Sequence, residues 1–254
     1  MRTIAPVHLR TYLSTNTRRP LTMSCLLSNN RRRALAGFTL IEMAIVMVIL
    51  GALLGGLLVP LASQREINQQ KATTEFLQEL RQALIGYAVI HKSLPCPASA
   101  TSNGAEVRIA GNACSSSSGF VPYTLLGVQG AVLNGVLVDA WQAPFRYSIT
   151  SAGGWAYAKA ITIPPPVPTN FTVCSSTPCP GATTLAQDLI AVLISTGPDG
   201  ANVPATTSPH QLINLAGGPT FISHEPIATA GNEFDDQLVW IAPATLMYEL
   251  SKVQ

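Results

Sequence analysis

The segment RRRALAGFTLIEMAIVMVILGALLGGLLVP, residues 31–60, decides the fold of this chain. Three arginines and Gly37 precede an apolar run of 22 residues, Phe38–Val59, in which only Glu42 is charged. At about 1.5 Å of rise per residue, a helix of this length crosses a hydrocarbon core of about 30 Å. A secretory signal peptide has a shorter apolar run, and its small residues follow that run instead of preceding it. The segment therefore predicts a membrane-spanning helix with the arginines on the cytoplasmic side.

The carboxylate of Glu42 is costly in such a helix. A charge at the centre of a membrane helix costs roughly 2.5–3.5 kcal/mol, and the cost near one end is smaller but still present. The helix dipole offsets only about 0.3–1 kcal/mol, so we expect a positive partner. No lysine or arginine follows before Arg65. Cleavage after Gly37 would create that partner, the α-amino group of Phe38, in the same helix or in a staggered neighbouring helix.

The stretch GFTLIE, residues 37–42, lies behind a basic leader and resembles the processing motif of type IV pilins and type II secretion pseudopilins. The resemblance implies that a prepilin peptidase cuts between Gly37 and Phe38 and methylates the new amine of Phe38. It also implies that Glu42 guides each subunit into a helical filament and holds it there.

The leader, residues 1–37, carries seven arginines and no acid, and it is long for this family. A start at Met23 instead of Met1 would shorten the leader to fifteen residues and keep the three arginines next to the cleavage site. We therefore expect translation to begin at Met23.

The remaining sequence predicts an α+β fold, a long N-terminal helix packed on an antiparallel β-sheet as in pilins. Apolar residues at helical period predict that this helix ends at His91, before Leu94-Pro95. Residues 95–120 are rich in Pro, Ser, Asn and Gly and predict a loop. Aromatic and β-branched runs predict strands at 135–138, 145–150, 155–162, 189–195 and 237–241, and Pro243 begins a short terminal helix.

This organisation divides the chain into four parts. They are the leader 1–37, a transmembrane or filament-core helix 38–60, its amphipathic continuation 61–93, and a periplasmic sheet domain 94–254.

Two stretches of the sheet domain extend the resemblance. Residues 139–147, DAWQAPFRY, are similar to the D-x-W-G-x-P-x-x-Y hairpin of pseudopilins, with Gln142 in place of the glycine. Residues 234–240, FDDQLVW, resemble the acidic turn and the last strand of the same proteins.

The cysteines outside the leader are even in number. Cys25 is removed with the leader, which leaves Cys96, Cys114, Cys174 and Cys179 on the oxidising side of the membrane. Three pairings are possible, and sequence proximity favours Cys96 with Cys114 and Cys174 with Cys179. Zinc is the rival interpretation, but no C-x-x-C pair or nearby histidine has the usual ligand spacing.

Three aspartates are candidate calcium ligands. Asp199, Asp235 and Asp236 offer the oxygen donors that calcium prefers, and major pseudopilins bind calcium in a C-terminal loop. The spacing differs from that ligand string, and turn-forming aspartates are the favoured interpretation. We therefore expect no metal and no cofactor, with calcium as the alternative.

Charge and motifs argue against two other function classes. Residues 38–254 carry eight Lys/Arg against thirteen Asp/Glu, which argues against nucleic-acid binding and against the alternative of a DNA-uptake pilin. A membrane-anchored periplasmic hydrolase is the other alternative. Because His91, His210 and His224 lie in no recognisable catalytic motif, we do not expect an enzyme.

The sequence as a whole predicts a prepilin-like structural subunit, a minor pilin or pseudopilin, of a type IV pilus or type II secretion pseudopilus. The expected partners are the prepilin peptidase, other pilin or pseudopilin subunits, an inner-membrane assembly platform and membrane lipid. The expected location is the inner membrane, with a single pass, a cytoplasmic N-terminus and a periplasmic C-terminal domain, followed by the filament. The sequence leaves both machines open.

Overall fold

The computed structural model describes residues 37–110, 113–150, 171–200, 208–229 and 231–252, except for the side chains of residues 56–62. The chain divides into two compact units, Met1–Ala52 and Leu53–Gln254. Most of the leader, including Cys25 and the alternative start Met23, lies outside the described residues, as does the predicted strand at 155–162.

The described residues form four helices and nine strands, numbered here in chain order. They are α1 Leu40–His91, β1 Ser118–Phe120, α2 Tyr123–Leu126, β2 Val132–Leu133, β3 Val136–Leu137, β4 Arg146–Ile149, β5 Phe171–Cys174, β6 Thr184–Leu189, β7 Ala191–Ser195, α3 Pro209–Leu215, β8 Thr220–Ile222, β9 Gln237–Ile241 and α4 Pro243–Ser251.

The second half of α1 packs on a four-stranded antiparallel sheet with strand order β1-β4-β7-β9. Apolar residues at helical spacing on α1 meet the inward side chains of β4, β7 and β9, and α4 closes the same core. The core includes Leu77, Leu80, Leu84, Ala88, Tyr147, Leu193, Ile241, Leu246 and Leu250. The fold is therefore α+β with an N-terminal helix and antiparallel strands, as the sequence predicts.

All five residues of β7 are buried, because this strand is covered on both faces. Leu193 faces α1, whereas Val192 and Ile194 pack against Phe171 and Phe221 of a second, three-stranded sheet. A continuous apolar run is what a strand buried on both faces requires. The order of the layers is therefore helix, large sheet, small sheet.

The small sheet adds one parallel pair of strands that the sequence did not predict. Its order is β6-β5-β8, and β5 pairs with β8 in parallel, with Val173 opposite Phe221. Parallel neighbours need a long crossover connection. Here the crossover contains β6, β7 and α3, and residues 208–229 return the chain beside β5.

A tight hairpin joins β2 and β3 and corrects the predicted strand at 135–138. Asn134 and Gly135 both have positive φ, 51° and 79°, which is typical of the two-residue Asn-Gly hairpin turn. Gly135 is therefore a turn residue, and the strand begins at Val136.

Both disulfides favoured by sequence proximity are present in the structure. Cys96 is bonded to Cys114 and Cys174 to Cys179, with Cα atoms 5.2 Å and 5.9 Å apart. These separations lie within the usual range for disulfides. The first bond holds together the segment that follows α1, and the second closes a short loop at the end of β5.

The turn at residues 139–144 is held by one buried carboxylate. Asp139 accepts the backbone N–H groups of Trp141 and Ala143 at 2.9 Å through Oδ1, and its Oδ2 accepts the hydroxyl of buried Ser195. Burial raises the pKa of Asp139 above its ordinary value, and these hydrogen bonds oppose that rise. The turn places Gln142 at φ 70°, the left-handed region that favours glycine.

Replacing Gln142 with glycine should therefore stabilise the fold. Gln142 is exposed, and a non-glycine residue in this region costs about 1–2 kcal/mol, of which the greater freedom of glycine in the unfolded chain cancels a part. We expect a gain of about 0.5–1 kcal/mol in the free energy of unfolding, measured by urea titration. Gln142→Ala keeps the strained backbone and is the matched control. An equal gain in both variants would contradict this explanation.

Candidate functional site

Helix α1 begins two residues after Phe38, and its first turn is capped by Thr39. The hydroxyl of Thr39 accepts the backbone N–H of Glu42 at 3.3 Å, and the carbonyl of Thr39 accepts that of Met43 at 3.2 Å. A threonine with a glutamate three residues later is the sequence signature of such a helix start. The cap leaves the peptide bond between Gly37 and Phe38 outside the helix, in non-helical backbone.

Nothing in the described chain requires a glycine at position 37. A side chain built at Gly37 would meet no atom within 4 Å, and its backbone is not in the left-handed region. The side chain of Phe38 is 76% exposed.

The first part of α1 presents an uncovered apolar surface. Every residue from 37 to 55 is exposed, and the exposed fraction reaches 90% at Leu40. Within the described part of the chain, the carboxylate of Glu42 makes no hydrogen bond and no ion pair. In lipid or in an apolar helix bundle, such a carboxylate would need a positively charged partner.

No helix among the described residues is both long and apolar enough to cross a membrane. The predicted span, residues 38–59, runs into residues 56–62, whose side chains lie outside the described part.

Comparison with known proteins identifies a sequence motif in this segment. Residues 32–58 match the family model of the prokaryotic N-terminal methylation motif, which is the leader signature of type IV pilins and pseudopilins. No curated protein and no solved structure matches the chain. The chain thus carries a pilin-type leader signature, and Gly37, Phe38 and Glu42 all lie inside the matched residues.

The three candidate calcium ligands form two separate hydrogen-bonded groups. The amide Nε2 of Gln211 donates to Asp199 at 3.0 Å and to Asp235 at 2.8 Å. Asp236 instead accepts the side-chain amide of Asn214 at 2.6 Å. Among the described residues, no three His, Cys, Asp or Glu side chains are arranged to hold a metal ion. The sequence could not show that amide side chains of α3 hold these carboxylates.

Burial raises the pKa of two of these three aspartates. Burial raises the pKa of Asp236 to about 7, although its hydrogen bond from Asn214 lowers it. Burial and the nearby charge of Asp199 raise the pKa of Asp235 to about 7. Both carboxyls therefore bind a proton more tightly in the folded chain than in the unfolded one.

The free energy of unfolding should accordingly fall as the pH rises from about 4 to about 7. In this window the folded chain holds protons that the unfolded chain has released, so deprotonation favours unfolding. A fully shifted group changes stability by at most about 1.4 kcal/mol per pH unit, and Asp235, which is partly exposed, contributes less than Asp236. Urea titrations at several pH values measure the slope. Asp236→Asn should flatten it, and an unchanged slope in that variant would contradict the assignment.

The structure also brings together two histidines for which no sequence pattern predicts a pairing. His210 lies in the first turn of α3, and His224 follows β8 by two residues. Their Nδ1 and Nε2 atoms are 3.0 Å apart. Burial and the proximity of His224 lower the pKa of His210. His91 is elsewhere, at the end of α1, where it stacks on Tyr87.

Proposed function

We propose that this protein is a prepilin-like structural subunit, a minor pilin or pseudopilin of a type IV pilus or type II secretion pseudopilus. The observation that carries the proposal is the start of α1. There, inside the residues that match the motif, an exposed, non-helical Gly37–Phe38 bond lies about one helical turn before Glu42, whose carboxylate has no partner among the described residues. The role is assembly, with no catalytic step and no cofactor.

In the proposed pathway, processing comes first and assembly follows it. A prepilin peptidase binds residues 37–39 in extended form, cuts after Gly37 and methylates the amine of Phe38. The uncovered apolar surface of residues 38–55 then packs against the same surface of other subunits on an inner-membrane assembly platform. The Glu42 carboxylate pairs with the Phe38 amine of a neighbour, because an unpaired charge in an apolar bundle is costly.

Before assembly, the proposed subunit lies in the inner membrane. The helix passes through it once, the arginines remain cytoplasmic, and the domain with its two disulfides lies in the periplasm, which is oxidising.

Mass spectrometry of the N-terminus tests the proposal. The full-length chain is expressed in bacterial cells with a prepilin peptidase and, separately, in cells lacking one. We expect the first sample to begin with N-methylated Phe38 and the second to retain residues before Gly37. An N-terminus unaffected by the peptidase, or a cut at another bond, would refute the assignment.

A further inference from the structure

The paired histidines lie at the edge of a surface cleft that the proposed filament role does not use. The cleft has a volume of about 380 Å³. Its lining includes Ser175, Ser176, Glu225 and Ile227 besides the two imidazoles. The cleft is open to water, and the two imidazoles are part of its lining.

The hydrogen bonds of His224 determine which ring nitrogen carries its proton. Its Nδ1 lies 2.7 Å from the backbone carbonyl oxygen of Glu225, and a carbonyl oxygen only accepts. Nδ1 of His224 is thus protonated, and in the neutral ring the lone pair of Nε2 accepts a hydrogen bond from Nδ1–H of His210 at 3.0 Å. Such a bond from the second ring nitrogen to a backbone carbonyl is what holds metal-binding histidines in place.

The elements that carry the two rings are fixed to each other. The side-chain amide of Asn214 on α3 donates to the carbonyl of Ile222 at 2.9 Å and accepts its N–H at 2.7 Å. The backbone N–H of Ser223 donates to the carbonyl of Cys174 at 2.8 Å. The ring of His224 also stacks on buried Phe234, with centroids 3.9 Å apart. The separation of the histidines is therefore set by the fold.

That separation suits two ligands of one metal ion. With metal–nitrogen bonds of about 2.0–2.1 Å, two nitrogens at about 90–110° around the ion lie about 2.8–3.4 Å apart. The observed 3.0 Å between Nδ1 of His210 and Nε2 of His224 falls in this range. In the structure the two nitrogens share a hydrogen bond, so the ion would replace the proton between them. His210 would then carry its proton on Nε2, and the two rings would tilt slightly so that both lone pairs meet the ion.

We propose that His210 and His224 form a binding site for one divalent late transition-metal ion, Cu²⁺, Ni²⁺ or Zn²⁺, whose remaining ligands are water. Imidazole nitrogen is a preferred donor for these ions, and Cu²⁺ binds such donors most tightly. Calcium, which needs oxygen ligands, does not fit this pair. The proposal is independent of the filament role.

Calorimetric titration of the full-length, untagged chain in detergent with Zn²⁺ tests this site. We expect one ion per chain. His210→Gln and His224→Gln should each weaken binding by at least roughly tenfold, the loss that removal of a metal-orienting group alone produces. The matched control is H8Q/H91Q, which removes the other two histidines of the chain and should bind as the wild type does.

A second test is electron paramagnetic resonance of the wild-type chain with one equivalent of Cu²⁺. It does not depend on whether a variant folds. We expect a spectrum with two coordinating nitrogens. An all-oxygen or single-nitrogen spectrum would overturn the proposal, and so would equal Zn²⁺ affinity in the wild type and in both single variants. Loss of binding in H8Q/H91Q would place the ion elsewhere and overturn it as well.

Discussion

Replacing Gly37 with valine is expected to leave the precursor uncut. We expect this change to leave the described fold intact, because a Cβ atom at Gly37 would meet no atom of the described residues within 4 Å and the position precedes α1. A peptidase that binds the extended backbone at this bond needs close approach, and a branched side chain next to the scissile bond prevents it. Gel mobility and N-terminal mass spectrometry of cells with active peptidase measure the outcome.

Gly51→Val is the matched control for this experiment. Gly51 lies in the same apolar run, and a side chain there also meets no atom within 4 Å of the described chain. We expect Gly51→Val to be processed as the wild type is. Normal maturation of Gly37→Val would show that this bond is not the cleavage site.

Replacing Glu42 with valine is expected to abolish capture by other pilin subunits while leaving maturation intact. The cleavage site is unchanged, and the variant removes the only acid from the apolar run, so membrane insertion should be at least as good. The neighbour's Phe38 amine, however, loses its partner in an apolar bundle. Breaking a buried ion pair costs about 3–5 kcal/mol, which lowers association by more than about a hundredfold.

Crosslinking to co-expressed pilin subunits separates this role from a local one. Glu79→Val removes an exposed acid from the same helix and is the matched control, since it should be captured at the wild-type level. If mature Glu42→Val is captured at the wild-type level, Glu42 is only a first-turn residue of α1 and has no role between subunits. Failure of both variants to reach the membrane would point to insertion instead of assembly.

The elements that the sequence predicted well are those whose signals are local. The helical period of apolar residues and the proline after Leu94 predict the end of α1 at His91, where the structure has it. The apolar run of β9 and Pro243 at the start of α4 are equally local, and both elements begin at the predicted residues. The leader signature is local as well, and the family model confirms it.

Other elements escaped prediction because their causes lie far along the chain. β1 has only three residues and pairs with β4, and in the sequence it is part of an apparent loop. α3 turns a polar face inward, so that Gln211 and Asn214 are buried while Leu212 is 48% exposed. An apolar pattern cannot reveal a helix whose buried contacts are amides. The histidine pair depends on the same helix and was missed for the same reason.

The side-chain amide of Asn214 has a further consequence if the chain assembles with copies of itself, as the proposed function requires. β8 is the outer strand of the small sheet, and Asn214 occupies both the donor and the acceptor of Ile222 there, as a neighbouring strand would. On β9, the outer strand of the large sheet, Arg81 occupies the carbonyl of Trp240 in a similar way at 2.9 Å. Open strand edges invite uncontrolled pairing between chains and hence aggregation. These two polar side chains occupy backbone groups at two outer strands, and in the proposed filament they would disfavour pairing through strands and leave the helices as the contact between copies.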